Sequence, residues 1–191
     1  MRMIAVVALA LLTWGSQSSA QPGAVVVSSD PGLWDCGIPD AGEGLAQYFV
    51  LHILTAGSTG VSFSAPLPSC HTGAWLSDTP AFPSAVGDSQ TGVTITWGAC
   101  LAAPIVILTM NVMTKGTTPD CCLFCVRPAT GKSSVEARDC ALAWLPSMGQ
   151  PNLINYTAGA CVSCSHLGNC DDPLPVEPST WGMLKALYVS E

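Results

Sequence analysis

The hydrophobic and polar positions of this chain alternate over short stretches separated by clusters of Gly, Pro, Asp and Ser. Gly92-Val-Thr-Ile-Thr-Trp97 puts Val93, Ile95 and Trp97 on one face and Thr94 and Thr96 on the other, the period of a half-buried strand. Ile105 to Met113 begins apolar on both faces and then alternates, which predicts a central strand with Val106, Leu108, Met110 and Val112 on its inner side and an exit toward solvent near Thr109 and Asn111. Further strands are predicted at Ala24 to Ser28, Gln47 to Thr55, Val61 to Ser64, Cys121 to Arg127 and Ser134 to Asp139, with the two already described at Gly92 to Trp97 and Ile105 to Thr114. This density of short strands predicts an all-β chain, an antiparallel β-sandwich of the immunoglobulin-like kind.

Between these strands the pattern weakens. Pro66 to Asp88 reads as a loop-rich crossover with a short strand near Ala74 to Leu76. Ala141 to Leu145 reads as one helical turn and Pro146 to Pro151 as a breaker. Near the end, Trp181, Leu184, Leu187 and Tyr188 form one apolar stripe at helical spacing, predicting a short C-terminal helix over Thr180 to Tyr188 that docks on this domain or on a partner.

The first 20 residues change the compartment. Arg2 is followed by an apolar run from Ile4 to Leu12, with small residues at Ser18 and Ala20, the pattern of a secretory signal peptide cut after Ala20. The run is too short for a membrane span, which needs about 20 apolar residues. The expected organisation is a signal peptide over 1–20, a sandwich domain over 21–145, a cysteine-clipped loop extension over 146–174, and a linker with helical tail over 175–191. The chain is strongly acidic, with a net charge of −7, and loses Arg2 with the leader. Nucleic acid and anionic membranes are therefore poor partners. The expected location is secreted or cell-surface, with no transmembrane segment in the mature chain.

Ten cysteines, Cys36, Cys70, Cys100, Cys121, Cys122, Cys125, Cys140, Cys161, Cys164 and Cys170, all follow the predicted cut. An even number in an exported chain reads as disulfides, each worth roughly 2–4 kcal/mol. Their pairing stays open at this level. Two C-x-x-C spacings, Cys122 with Cys125 and Cys161 with Cys164, invite zinc. In a strand, however, Cys122 points with Phe124 and Val126, whereas Cys121 and Cys125 point the other way, so Cys122 and Cys125 cannot share an ion. The 161–170 cluster is the expected source of a partner for Cys125. Cys121 and Cys122, being adjacent, are expected each to seek a distant partner. A redox thiol pair needs a helix amino terminus, and Cys161-Val-Ser-Cys164 near His166 is the better placed of the two, yet a local clip including Cys170 explains it as well.

Order and identity of several segments, FSAPLPSC at 63–70, SDTPAF at 77–82, QTGVTITWGAC at 90–100, the Cys121-Cys122 doublet, DCA at 139–141 and STWGMLKALY at 179–188, are similar to those of uncharacterised exported bacterial cysteine-rich proteins. Those resemble immunoglobulin-like or cohesin-like β-sandwiches with a short TWG-x-x-KALY-like C-terminal tail. The resemblance implies an exported surface or extracellular protein, with the tail as a docking or sorting element, and no activity travels with it.

Other chemistry is thin. Gly87-Asp88-Ser89 resembles a serine hydrolase triplet, but the neighbours and the histidine spacing do not follow, so a surface turn is expected. Asp30, Asp35, Asp40 and Glu43, and the pair Asp171 and Asp172, lack the alternation of a calcium loop. His52 is expected as a satisfied strand histidine. Asn155-Tyr-Thr157 fits a glycosylation acceptor and reads as a chance match. Trp34 and Trp75 would form a sugar-binding platform if one surface exposed both, whereas Trp97 is expected to be buried. No catalytic residue, cofactor or metal site is assigned. The function expected is an exported structural or interaction module, not an enzyme, binding an unknown protein or glycan at the cell surface or in the medium. The alternatives are a carbohydrate-binding module and, further off, an enzyme of unknown class.

Overall fold

A computed structural model of the chain describes residues 23–32, 36–40, 42–158 and 160–161. Eleven strands and no helix make up the ordered elements of these residues: β1 (Ala24–Ser28), β2 (Glu43–Ile53), β3 (Ser58–Phe63), β4 (Ala74–Pro80), β5 (Ser84–Asp88), β6 (Gly92–Leu101), β7 (Ile105–Lys115), β8 (Cys122–Cys125), β9 (Val135–Arg138), β10 (Trp144–Gly149) and β11 (Pro151–Ile154). The predicted tail helix lies outside the described residues.

Nine strands form one sheet in the order β4-β7-β2-β1-β10-β9-β3-β6-β5. Every neighbour pair is antiparallel except β1 with β10, which is parallel through Ala24 opposite Met148 and Val25 opposite Gly149. The sheet folds over at that join, and its two halves share one core. From the first half come Val25, Tyr48, Val50, Ile107, Met110 and Val112, and from the second Val61, Phe63, Val93, Ile95, Val135 and Ala137. At roughly 1.5–3 kcal/mol for each fully buried large apolar side chain, this interior is the main favourable contribution to folding. A small ribbon of β11 and β8 adds Cys122, Phe124 and Ile154 to the same core.

The far edges of the two halves are also joined. β4 lies at one end of the strand order and β5 at the other, yet only Ala81 to Pro83 separate them in sequence. The chain there crosses from one layer to the next. Phe82 stacks on Trp97 at 4.9 Å between ring centroids, and the Trp97 indole donates to the Ser58 carbonyl at 2.7 Å. Asp78 of β4 accepts from the Trp75 indole at 2.9 Å and from the backbone and hydroxyl of Ser89 at 2.6 and 2.9 Å, tying the start of the crossing to its end.

The antiparallel alternation of β6 and the burial of Trp97 are as the sequence predicts. Four readings need correction. On β7 Leu108, Met110 and Val112 face the core but Val106 does not. The register shifts between Val50 and Leu51, which face Leu108 and Val106, leaving Ile107 as an extra residue, and a bulge of this kind reverses which face each side chain occupies. Val106 instead joins Ala24, Val26, Leu51, Ile53 and Phe49 on the opposite side of the layer. The stretch expected as a loop-rich crossover contains the two edge strands β4 and β5. Edge strands bury little, and their side chains carry correspondingly little apolar signal.

The helical turn expected at Ala141 to Leu145 and the breaker at Pro146 to Pro151 are a hairpin turn followed by β10 and β11. Pro146 is accommodated because β10 pairs with β9 there, while pairing with β1 begins only at Met148. Pro151 opens its strand, where a missing N–H costs no ladder bond. The sandwich accordingly continues to Ile154, past the boundary expected at 145.

Candidate functional site

The cysteines resolve first. Cys70 bonds to Cys122, Cys100 to Cys140 and Cys121 to Cys161, and Cys36 and Cys125 are half-cystines as well. The neighbours Cys121 and Cys122 do take separate, distant partners. Cys122 is buried beside Phe124 and Val126, and Cys121 turns away from it through a positive φ of 61°. Cys125, expected on the face opposite Cys122, is buried too, and of the 161–170 cluster expected to supply its partner, Cys161 is taken by Cys121. Disulfide sulfur is no zinc ligand, and among the described residues no three His, Cys, Asp or Glu side chains converge as a metal site. Cys164, Cys170 and His166 lie outside the described residues, as do Asp35, Asp171, Asp172 and the tail residues Trp181, Leu184, Leu187 and Tyr188.

Ser89 lies in the expected turn, between β5 and β6, but its side chain is buried, with the hydroxyl donating to Asp78 and accepting from the Gln90 side-chain amide at 2.9 Å. No histidine reaches it among the described contacts. Asn155 spends its side chain on structure, its Oδ1 accepting from the Asp40 backbone at 2.9 Å and its Nδ2 donating to the Thr118 carbonyl at 2.7 Å, so it is a poor glycan acceptor. His52 is buried in β2 with Nδ1 2.9 Å from the Ser58 hydroxyl. Trp75 packs its ring partly against the core and donates its N–H to Asp78, which removes half of the expected sugar platform. Trp34 lies outside the described residues.

One buried polar cluster has the residue types of an active site. His71 Nδ1 accepts from the Gly73 N–H at 2.9 Å, which leaves the ring proton on Nε2, 3.2 Å from the Tyr48 hydroxyl. The neighbouring Asp40 carboxylate accepts from the Gly116 and Thr118 backbone at 3.1 and 3.0 Å. Burial, assisted by the Asp40 charge, pushes the Tyr48 phenol up to about 12. Burial also pulls His71 below its ordinary value, against the opposing pull of Asp40. Asp40 itself would be raised by burial, but the hydrogen bonds from Thr118 and Gly116 and the nearby His71 hold it below the usual carboxylate range. A phenol that stays neutral, an imidazole whose two nitrogens are occupied and a carboxylate saturated by backbone donors leave no group free to attack a substrate. This cluster locks the 70–73 segment to β2 through Tyr48 and the 116–118 segment to the stretch before β2 through Asp40.

The outward face of β10 is different. Trp144 and Met148 are 40% and 36% exposed, and with Leu142 and Pro146 they follow one another at every second position. Leu142, 56% exposed, sits in the hairpin turn at φ 67°, and Leu54, 62% exposed, follows β2 at φ 58°. The two turns belong to one end of the sandwich. Asp139 ties the hairpin turn by accepting from Ala143, and its carbonyl accepts from the Thr59 hydroxyl at 2.9 Å. Thr55 accepts from Ala103 at 3.3 Å, and a side chain on Gly57 would lie 2.6 and 2.7 Å from the sulfurs of Cys100 and Cys140. Leu54 lies three residues before Gly57, beneath the exposed Cys100–Cys140 bridge, and Leu142 lies two residues after Cys140, so both turns adjoin the bridge, with Trp144 and Met148 following along β10. A leucine in the left-handed region costs roughly 1–2 kcal/mol, and Gly or Asn would avoid most of it.

Alternation carried this stripe in the sequence, since Leu142, Trp144, Pro146 and Met148 are spaced by two. The prolines masked it. A second exposed group, Leu45 opposite Met113 with Leu76 nearby, lies on ordinary strand backbone at the other layer's rim. Scattered exposed apolar residues of that kind are normal on a protein surface.

No protein-family model matches the chain, and no curated protein matches it. Among solved structures it is similar to the sixth cohesin of scaffoldin B from Acetivibrio cellulolyticus, determined in complex with a Cel5 dockerin mutant, with 8% identity, a TM-score of 0.45 and coverage of 71% of this chain and 99% of that one. It is also similar to a cohesin module of a family 33 glycoside hydrolase from Clostridium perfringens, with 6% identity, a TM-score of 0.44 and coverage of 71% and 98%.

Proposed function

We propose that this protein is an exported, disulfide-stapled interaction module whose contact surface is the outward face of β10 together with the turns carrying Leu142 and Leu54. The observation that carries the reading is the pair of exposed leucines at positive φ. Neither side chain is needed for the core, and both occupy backbone that disfavours them, so the fold supports an unfavourable local choice whose side chains face outward. Trp144 supplies a large rigid anchor beside them, the type of residue that concentrates binding energy at the centre of an interface. The acidic composition argues against polyanionic partners, and the apolar band favours a protein surface with its own apolar patch. Export to the cell surface or the medium is supported by a chain stapled by several disulfides.

The test is site-specific photo-crosslinking of the full chain on cells that export it. A benzophenone amino acid replacing Trp144 should give one discrete adduct. The same probe replacing Val86, exposed on the edge strand β5, should give none. Equal adducts at both positions, or none at 144, would overturn the assignment.

A further inference from the structure

We infer that the Cys100–Cys140 disulfide is a reducible clasp that controls the β10 contact surface, an inference that rests on the interaction reading above. Both of its half-cystines are exposed. No other bridge to a described cysteine shares this property: Cys122 and Cys125 are buried, and Cys36, Cys70, Cys121 and Cys161 are partly covered. An attacking thiolate needs access along the S–S axis, so exposure ranks this bridge first for exchange.

Its position gives the exchange a consequence. Cys100 lies near the end of β6 and Cys140 at the start of the hairpin turn after β9, and β3 runs between those two strands. The bridge arches over Gly57, where any side chain would collide with both sulfurs. It therefore holds three things together: the end of β6, the turn after Leu54 and the hairpin that presents Leu142 and Trp144. The core is stapled separately by Cys70–Cys122, whose Cys122 half is buried in it and whose Cys70 half is partly covered, so that bridge is less open to the same reagent.

The reductant is an exported dithiol. Its thiolate attacks one sulfur of the bridge and displaces the other as a thiolate, forming a mixed disulfide. Its second thiol then resolves that intermediate, leaving the dithiol oxidised to a disulfide and Cys100 and Cys140 as two thiols. Two electrons and two protons pass from reductant to bridge. Without the clasp the hairpin turn keeps the Asp139 contacts, the Arg138 Nε bond to the Leu142 carbonyl and its β9–β10 pairing, but loses its tie to β6, so the leucine and tryptophan side chains are no longer held against the Gly57 turn.

The experiment uses the full chain and dithiothreitol as the probe. Stepwise reduction followed by alkylation and peptide mass spectrometry should label Cys100 and Cys140 before Cys36, Cys70, Cys121, Cys122, Cys125 or Cys161, with far-UV circular dichroism unchanged at that step. The adduct from the probe at position 144 should then fall about fivefold or more, the low end of ordinary coupling between two sites. The variant C100S/C140S should give the same low yield in either redox state. First labelling at another of the described cysteines, or an undiminished adduct after selective reduction, overturns the clasp while leaving the contact surface standing. Absence of any adduct before reduction overturns the contact surface itself.

Discussion

Removing two disulfides in parallel separates what a bridge does for the unfolded chain from what it does for the folded one. Cys70–Cys122 closes 52 residues and Cys100–Cys140 closes 40. On the chain-entropy account each restricts the unfolded state by about 4 kcal/mol, and the two loops differ by only about 0.2 kcal/mol. If that were the whole effect, C70A/C122A and C100A/C140A would be equally destabilised. They differ in the native state. Cys122 sits in the core beside Phe124, whereas Cys100 and Cys140 are exposed.

Truncating a buried sulfur leaves a void that the surrounding strands fill only in part, adding roughly 1–2 kcal/mol at the lower end of large-to-small core substitutions. The buried pair should therefore lose about 5–6 kcal/mol and the exposed pair about 4 kcal/mol. Both cysteines of a pair must be removed together, since a lone thiol at 70 would exchange with the neighbouring Cys121. Guanidinium unfolding of both variants, extrapolated to water, provides the comparison. If C100A/C140A proves as unstable as C70A/C122A or more so, burial is not what distinguishes the bridges, and the argument that the core is independent of the clasp fails with it.

Three other outcomes are expected. Burial holds His71 below its ordinary 6.5, so on acidification the unfolded chain takes the proton first. The stability His71 contributes is full above 6.5 and is lost as pH falls from there toward its lower folded value, and Asp40 adds a second loss below 3.8. H71Q should flatten the first decline in a series of denaturant titrations from pH 8 to 2 and spare the second, while an unchanged first decline would count against burial of His71 as its source. G57A should lose about 1–3 kcal/mol by overpacking against the bridge and raise the reactivity of Cys100 and Cys140 toward alkylating agents after mild reduction, so wild-type reactivity would mean that the turn yields freely. L142N should leave stability unchanged or raise it by up to about 1 kcal/mol, since Asn tolerates the left-handed region, yet weaken crosslinking from position 144. A thermal melt showing a loss above about 1 kcal/mol would show that the leucine packs into the fold.

What the sequence made legible followed burial. β1, β6 and most of β7 stand out because each places apolar side chains against two layers or one, and the alternation survives in the residue types. Of β4 only the start, Ala74 to Leu76, was legible, and β5 escaped notice, because a strand at the edge of a sheet is half solvated; β10 was hidden because Pro146 and Pro151 look like stops unless the neighbouring strands are known. Ile107 shows a subtler limit. A single bulged residue, set by the pairing of β2 with β7, reverses the facing that simple alternation assigns to Val106.

The sequence by itself determined an all-β, disulfide-bearing, acidic chain with Trp97 and Cys122 inside. It also ruled out a shared ion for Cys122 and Cys125, from side-chain direction in a strand alone. Tertiary structure decided that Cys121 reaches Cys161, that the chain crosses layers at Phe82, and that the Gly57 turn after Leu54 lies under the exposed bridge to the hairpin that carries Leu142. Local pattern reports how a residue relates to its near neighbours, which is enough to set the face of a strand. Which distant segments meet is settled by strand order, and strand order is chosen by the packing of the whole sandwich.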